Sequence, residues 1–331
     1  MTKKVLILGA TGAMGQYLTP MLADLGYNVD AVSLDDMTSE RPNLRYIKSN
    51  AKDKAVFKQL LSNNYDGMVD FMIYPTADLP YYVPLALKSV GHYIYLSSYR
   101  AYDDKEHPVR ESSPLLCDSA DNVLLRNSDD YSIYKGRGEK ILHYIGGRNW
   151  TIIRPAITYS FMRYQLVTQE APNTVGRAFA GKKTVLPIQA KNVQATMSWA
   201  GDVAHMIAGL LFNEKAVGEA FTVATAEHHT WGEIASYYKE ICNLDSVWID
   251  KEDYIRLIDP DPFSNGARWQ LEYDRLFDRV MDNSKVLAAT GMKQEKLMKL
   301  YDGLKYEIAR CPKDHPWPVN KRIDDYLAAM K

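Results

Sequence analysis

Hydrophobic positions along the first half of this chain switch repeatedly between two spacings. Residues 5–8 form a short, wholly apolar run, which predicts a buried strand. Residues 13–25 turn helical, with Met14, Leu18, Met21, Leu22 and Leu25 on one face and Gly26 closing the helix. Further strands are predicted at 29–34, 44–47, 67–73 and 93–96. Helices are predicted at 53–61, with Asp53 as N-cap, and at 80–90, which starts near a proline. Residues 103–129 break the rhythm: they are polar, carry Pro108 and Pro114, and show no clear period. A connection of that length inside a compact domain is usually functional, such as a lid or flap. Helix resumes at 131–145 despite Gly136 and Gly138, whose presence predicts a close approach of something to that face. A sixth strand, 150–154, is stopped by Pro155.

Beyond residue 156 the pattern loosens. A helix at 202–212 and a seventh strand at 220–223 stand out. So does a helix at 231–242, opened by a capping box of Thr230 and Glu233, and a last helix is predicted at 323–330. Repeated strand–helix units of this length predict an α/β fold with a doubly wound parallel sheet, covered on both faces. At 331 residues the chain is long for one core, so a second lobe is expected.

The glycines after the first strand add chemistry to this pattern. Gly9, Gly12 and Gly15 recur at a spacing of three between strand and helix. Backbone N–H groups and the positive end of the helix dipole there point at one spot, which makes a phosphate site. The first domain therefore reads as Rossmann-like and dinucleotide-binding, spanning 1–158 plus about 196–226. A smaller, mixed C-terminal substrate lobe takes about 159–195 plus 227–331.

Composition changes the picture mainly by exclusion. A net charge of −1 with 24% charged residues offers no basic excess for nucleic acid. Cys117, Cys242 and Cys311 lie far apart, which argues for a reducing compartment and against a disulfide framework or zinc site. His228 and His229 are adjacent, would point apart on a strand, and have no third ligand at metal spacing, so no metal is expected. No apolar run approaches the roughly 20 residues needed to span a bilayer, and the chain enters a strand at once, so a cytoplasmic protein without a signal peptide is expected.

Tyr131 and Lys135 stand four apart on one helical face. A tyrosine is a poor base near its ordinary pKa of ~10, and a neighbouring ammonium favours the phenolate. Spacing alone is weak in a chain with 23 tyrosines, and Tyr301 with Lys305 repeats it. Ser98 separates the two pairs. It follows the fifth predicted strand at its C-terminal edge, where doubly wound sheets bind ligands, and its hydroxyl could hold a carbonyl while Tyr131 moves a proton.

These pieces resemble, in order, the extended short-chain dehydrogenase/reductases, specifically the NAD-dependent epimerase/dehydratase group. The matching stretches are Gly9-Ala-Thr-Gly12-Ala-Met-Gly15, Ser97-Ser98 through Tyr102, Pro108 to Pro114, and Tyr131-Ser-Ile-Tyr-Lys135 with Glu139. Further matches are Arg154-Pro155, Gly201-Asp202, Gly218-Glu219, Thr230-Trp231 with Glu233, and Asp282-Asn-Ser284-Lys285. The resemblance implies that Gly9, Thr11, Gly12, Ala13, Met14 and Gly15 line a pyrophosphate. It implies Ser98 as catalytic hydroxyl, with Ser97 beside the cofactor, Tyr131 as acid/base, and Lys135 on the nicotinamide ribose. Pro155 and Ile157 would lie against the nicotinamide, and Asn50 and Ala51 near adenine. A homodimer through the helices at 80–90 and 131–145 is also implied.

Three departures bear on ligand choice. Ser33 stands where the family carries the acidic residue that binds the adenosine ribose, followed by Leu34, Asp35 and Asp36. Asp35 would reach the ribose if the strand end is shifted, so NAD is expected, with NADP left open. Ala195 replaces the arginine expected seven residues before Asp202, which weakens a nucleotide-sugar substrate. Tyr159-Ser160-Phe161 replaces the usual Tyr-Gly-Pro. Tyr74, Ser98, Arg163, Arg177, Trp199, Arg268 and Trp269 remain as candidate substrate contacts. The expected activity is hydride transfer at a hydroxyl or ketone of a sugar or sugar-like molecule. A ketone or aldehyde reductase of a small metabolite, and a non-catalytic cofactor-sensing or RNA-binding relative, are the alternatives.

Overall fold

The computed structural model describes residues 2–261 and 263–330. Its central sheet contains seven parallel strands: β1 Lys4–Leu8, β2 Asn28–Ser33, β3 Leu44–Lys48, β4 Gly67–Asp70, β5 His92–Leu96, β6 Trp150–Pro155 and β7 Glu219–Val223. They run in the order β7-β6-β5-β4-β1-β2-β3. The covering helices include α1 Gly15–Asp24, α2 Lys54–Leu61, α3 Leu79–Ser89, α4 Tyr131–Ile145 and α5 Ala200–Leu210.

The all-apolar character of β1 follows from this layering, because successive side chains point to opposite faces and both are covered. Val5 and Ile7 pack with Leu18 and Leu22 of α1 and Val203 and Ile207 of α5. Leu6 and Leu8 pack on the other face with Phe57 of α2, Val83 of α3 and Leu142 of α4. Strand order reverses at β1 and β4, and the crevice at such a reversal, outside the carboxyl ends of the strands, is where this architecture holds ligands.

Strand β4 stops at Asp70, three residues earlier than its apolar run predicts. The Asp70 carboxylate accepts from the Met72 N–H at 2.9 Å and from the hydroxyls of Tyr93 at 2.9 Å and Tyr74 at 3.1 Å, which turns the chain out of the sheet. The glycines of α4 are explained within the chain. A Cβ at Gly138 would collide with the Tyr95 hydroxyl, and one at Gly136 would stand 2.6 Å from Cys117 Sγ.

The polar connection between β5 and α4 is less free than its composition predicts. It carries short helices at Leu116–Ser119 and Val123–Asn127. Leu116, Ala120 and Leu125 bury against Ile133 of α4 and meet Trp269, Tyr273 and Phe277 from far along the chain. Residues after 156 build a second core around Tyr159, Tyr164, Trp231, Tyr238 and Tyr254. Its strands are two to four residues long, as in the parallel pairs Ile157–Tyr159 with Met197–Trp199 and Thr184–Pro187 with Ser246–Ile249. Elements that short leave no readable period. Among the described residues no helix is long and apolar enough to cross a membrane.

Candidate active site

The turn after β1 is built on glycine for steric reasons. Gly9 takes a φ of +76°, and the N–H groups of Gly9 and Ala10 both donate to the Val32 carbonyl at 3.0 Å. Gly12 N–H then donates to the Gly9 carbonyl at 3.1 Å, folding the turn back on itself. A Cβ at Gly15 would sit 2.5 Å from the Gly9 carbonyl oxygen and 2.6 Å from Ala10, so a side chain there would push helix and strand apart. Met14 caps α1 without a side-chain acceptor. The helix start, together with Gly12, Ala13 and Gly15, therefore faces an open cavity and suits an anion.

Beside this turn, the Thr11 hydroxyl donates to the Asp35 carboxylate at 2.5 Å. Ser33 is nearly buried, and its hydroxyl exchanges 3.2 Å hydrogen bonds with the Asp35 backbone, which bends the chain as it leaves β2. The bend places the Asp35 carboxylate against the glycine turn. Asn50 caps its own turn through Lys52 N–H at 3.0 Å, and Ala51 is buried beside it.

The other end of the cavity is assembled from β5, α4 and the chain after β6. The cavity is about 400 Å³ and its wall includes Ser98, Tyr99, Arg100, Tyr131, Pro155, Ile157, Arg163 and Arg275. Ser98 caps a turn of 3-10 helix over Tyr99–Ala101, its Oγ accepting from Arg100 N–H at 3.1 Å. Tyr131 is the first residue of α4, whose N-cap Asp130 accepts from Ser132 N–H at 2.9 Å. Enclosure raises the pKa of Tyr131, while the nearby Ser98 hydroxyl and the charges of Arg100 and Arg163 pull it back down. The Arg100 guanidinium lies 5.0 Å from the centre of the Tyr131 ring.

Lys135, one turn along α4, is buried with its Nζ 5.5 Å from the centre of the Tyr131 ring. The Nζ donates to the Leu96 carbonyl at 2.6 Å. Burial lowers its pKa to about 8, while the charges of Asp70 and Glu139 hold it up. Asp70 is itself pushed up to about 6 by burial, against its hydrogen bonds and the Lys135 charge. Ser97 is fully buried and donates to the Glu139 carboxylate, so it supports the site from behind.

The fold thus gathers Gly9, Gly12, Ala13, Met14, Gly15, Ser98, Tyr131, Pro155, Ile157 and Arg163 around one cavity. Other residues singled out in the sequence stand elsewhere. Tyr74 is buried, hydrogen-bonded to Asp70 and stacked on Tyr82. Trp199 donates to Glu307 at 2.6 Å and packs edge-on against Tyr17. Arg268 is tied to Glu252 and Glu272, Arg177 to Asp324, and Trp269 to the core under the long connection. His228 bonds Gln194 and His229 bonds Glu227. In their place the wall gains Phe71, Arg100, Gln165, Glu170, Gln270 and Arg275. Arg100 is signalled in the sequence by lying two residues after Ser98. Nothing in the spacing of the chain points to Gln270 or Arg275.

Three comparisons place this geometry. The model of the NAD dependent epimerase/dehydratase family matches residues 5–224. An epimerase from Methanothermobacter thermautotrophicus aligns with a TM-score of 0.71 at 16% identity, over 93% of this chain and 91% of that one. UDP-glucose 4-epimerase from Thermotoga maritima, solved with UDP-glucose, gives 0.69 at 17% identity over 92% and 97%. UDP-glucose 4-epimerase from Thermus thermophilus, solved with NAD, gives 0.67 at 14% over 92% and 98%. At these identities the structural likeness is one of fold. No curated protein sequence matches the chain. The chain belongs to the NAD-dependent epimerase/dehydratase family, a family of enzymes that use NAD.

Proposed function

We propose that the chain oxidises and reduces a hydroxyl or ketone of a sugar or sugar-like molecule by hydride transfer, with Tyr131 as acid/base. The observation that carries this reading is the pairing of Ser98 with Tyr131 on the wall of the cavity into which the glycine turn opens. NAD would be held by Gly9, Gly12, Ala13, Met14 and Gly15 at its pyrophosphate and by Thr11, Ser33 and Asp35 at the adenosine end. Asn50 and Ala51 would lie near its adenine. Pro155 and Ile157 would lie against its other half with Lys135 beside them, and Ser97 would support that wall from behind through Glu139. When bound, it supplies the hydride acceptor and donor at its nicotinamide. Ser98 would orient the substrate oxygen and Tyr131 would take or return its proton. Lys135 would stabilise the phenolate and position the ribose.

The cofactor half of this reading gives one expected result. Gly15→Ala should lower NAD affinity at least tenfold, because the new methyl must displace the Gly9 carbonyl that closes the turn. Titration of NAD into variant and parent measures this. Proton transfer supported by the Lys135 ammonium gives another. The ammonium is present below about pH 8 and lost above it, so turnover should fall as pH rises through that value. A rate–pH profile in which Lys135→Met keeps the same alkaline limb would count against the assignment.

The outcome separates epimerase from reductase. Incubating the NAD-loaded protein with sugars and with ketones should produce either an epimer without net change in the reduced-nicotinamide band, or a stoichiometric change in that band. Failure to bind NAD at all would sink the proposal. Ala195 bears on the substrate. It is buried in an antiparallel pair with His229 and lies away from the cavity wall, so it offers nothing to a diphosphate. That favours a small metabolite as the second reading.

Three coarser expectations travel with the proposal. The cofactor domain would comprise 1–158 plus about 196–226, leaving the cavity at its junction with the substrate lobe. A homodimer would form through α3 and α4, which sedimentation can read. The three free thiols fit a reducing, cytoplasmic setting.

A further inference from the structure

Three guanidiniums, Arg100, Arg163 and Arg275, stand on the wall at the catalytic end of the cavity, against Glu170 as the carboxylate among the described lining residues. Asp274 is fully buried and serves three guanidiniums at once. It pairs with Arg275, lies 3.3 Å from Arg100 Nε and 3.5 Å from Arg279 Nε. One carboxylate does not meet three cations in good geometry: among the described residues the buried Nε atoms of Arg100 and Arg279, and Asp274 Oδ1 itself, have no hydrogen bond. Arg100 has one further carboxylate within reach, Asp130 at 3.7 Å. Arg275 is spent inside the protein, on the Val167 carbonyl at 2.7 Å and the Tyr99 hydroxyl at 2.5 Å.

Arg163 stands on that wall beside Arg100 and Arg275, and among the described residues it forms no ion pair. Its charge is felt at Tyr131. The chain that presents it is held in two tight turns, Ser160 with Arg163 and Leu166 with Gln169, each closed by reciprocal backbone hydrogen bonds. Each turn forces a non-glycine residue to positive φ, Met162 at 63° and Val167 at 53°. A β-branched residue in that region is a genuine outlier, and such strain persists where the surroundings over-determine it, often beside a ligand. The second turn aims the Val167 carbonyl at Arg275, and the first sets Arg163 beside the reacting groups.

From these observations we infer that the substrate carries an anionic group, carboxylate or phosphate, near its reacting carbon, and that Arg163, with Arg100 beside it on the wall, receives it. A guanidinium fork meets such a group through two parallel hydrogen bonds, which fixes orientation as well as affinity. The Gln270 amide on the same wall supplies a neutral donor for a remaining oxygen, while the Gln165 amide donates to Glu170. This inference rests on the proposed function, and it narrows the substrate within it.

Calorimetric titration of the NAD-loaded protein with matched ligands tests it: glucuronate and glucose 6-phosphate against glucose, galacturonate against galactose, and UDP-glucuronate against UDP-glucose. At least one anionic member should bind tenfold or more tighter than its neutral partner. Arg163→Gln should abolish that preference and Arg163→Lys should restore part of it. The carboxylate and phosphate arms tell which anion is meant. Equal affinity within every pair, a preference that survives Arg163→Gln, or no binding by any member overturns the inference. Tyr131→Phe leaves the binding preference in place while removing turnover, so failure of the anion site and failure of the proposed chemistry read out separately.

Discussion

Tyr131→Phe should lower turnover by about 10²- to 10⁴-fold while NAD affinity stays near that of the parent, the range expected when a positioned proton-transfer group is removed. The phenol is the group for which the surrounding wall is arranged. Ser98 stands beside it on the wall, Arg100 lies over its ring and Arg163 adds charge from across the cavity, all favouring the phenolate against the cost of enclosure. Removing the oxygen leaves the ring, and so the shape of the wall, in place. The loss should therefore fall on kcat more than on KM. Turnover within tenfold of the parent would assign the proton transfer elsewhere, and Ser98 would then lose its partner as well.

The second large effect concerns stability. Arg154→Met should destabilise the protein by about 3–5 kcal/mol, because it strands a buried carboxylate. Arg154 on β6 and Glu139 on α4 are both almost fully buried, joined through Nη2 to Oε2 at 2.5 Å and Nε to Oε1 at 2.9 Å. The remaining Arg154 donor reaches the Tyr102 hydroxyl at 2.8 Å and the Glu111 carbonyl at 2.9 Å, while Ser97 donates to the same glutamate. This network ties α4 to the ends of β5 and β6, and so sets Tyr131 against Ser98. Urea unfolding monitored by circular dichroism measures the loss. The double variant with Glu139→Leu should recover a large part of it, since two apolar groups leave no orphaned charge. A single variant as stable as the parent would show that the pair does not hold the site.

The sheet-forming first part of the chain was legible because its determinants are local. The strands at 5–8 and 93–96 stand out as apolar runs, the α1 face repeats at helical spacing, and the caps at Asp53 and Thr230 lie next to the turns they close. Gly9, Gly12 and Gly15 belong to a single turn. An extra Cβ at Gly12 or Gly15 would meet Gly9 or Ala10 of the same turn, so that constraint is written in adjacent residues, whereas one at Gly9 would meet Phe71 beyond β4. β4 was read too long because an apolar run does not reveal that Asp70 will be tied by Tyr74 and Tyr93.

The far end of the cavity was illegible for the opposite reason. Arg100, Arg163 and Arg275 meet at one cavity from segments far apart along the chain, with no period or spacing connecting them. Trp199 and Arg268 have the chemistry of ligand contacts, yet Glu307 satisfies one and Glu252 and Glu272 the other. Which polar groups are spent within the protein and which remain for a ligand is decided by three-dimensional pairing. By itself the sequence determined the doubly wound sheet and its glycine turn, since short-range pattern and backbone sterics dictate them. Only the tertiary structure decided the charge of the cavity, because one buried aspartate, Asp274, had to be shared among three arginines before the surplus became visible.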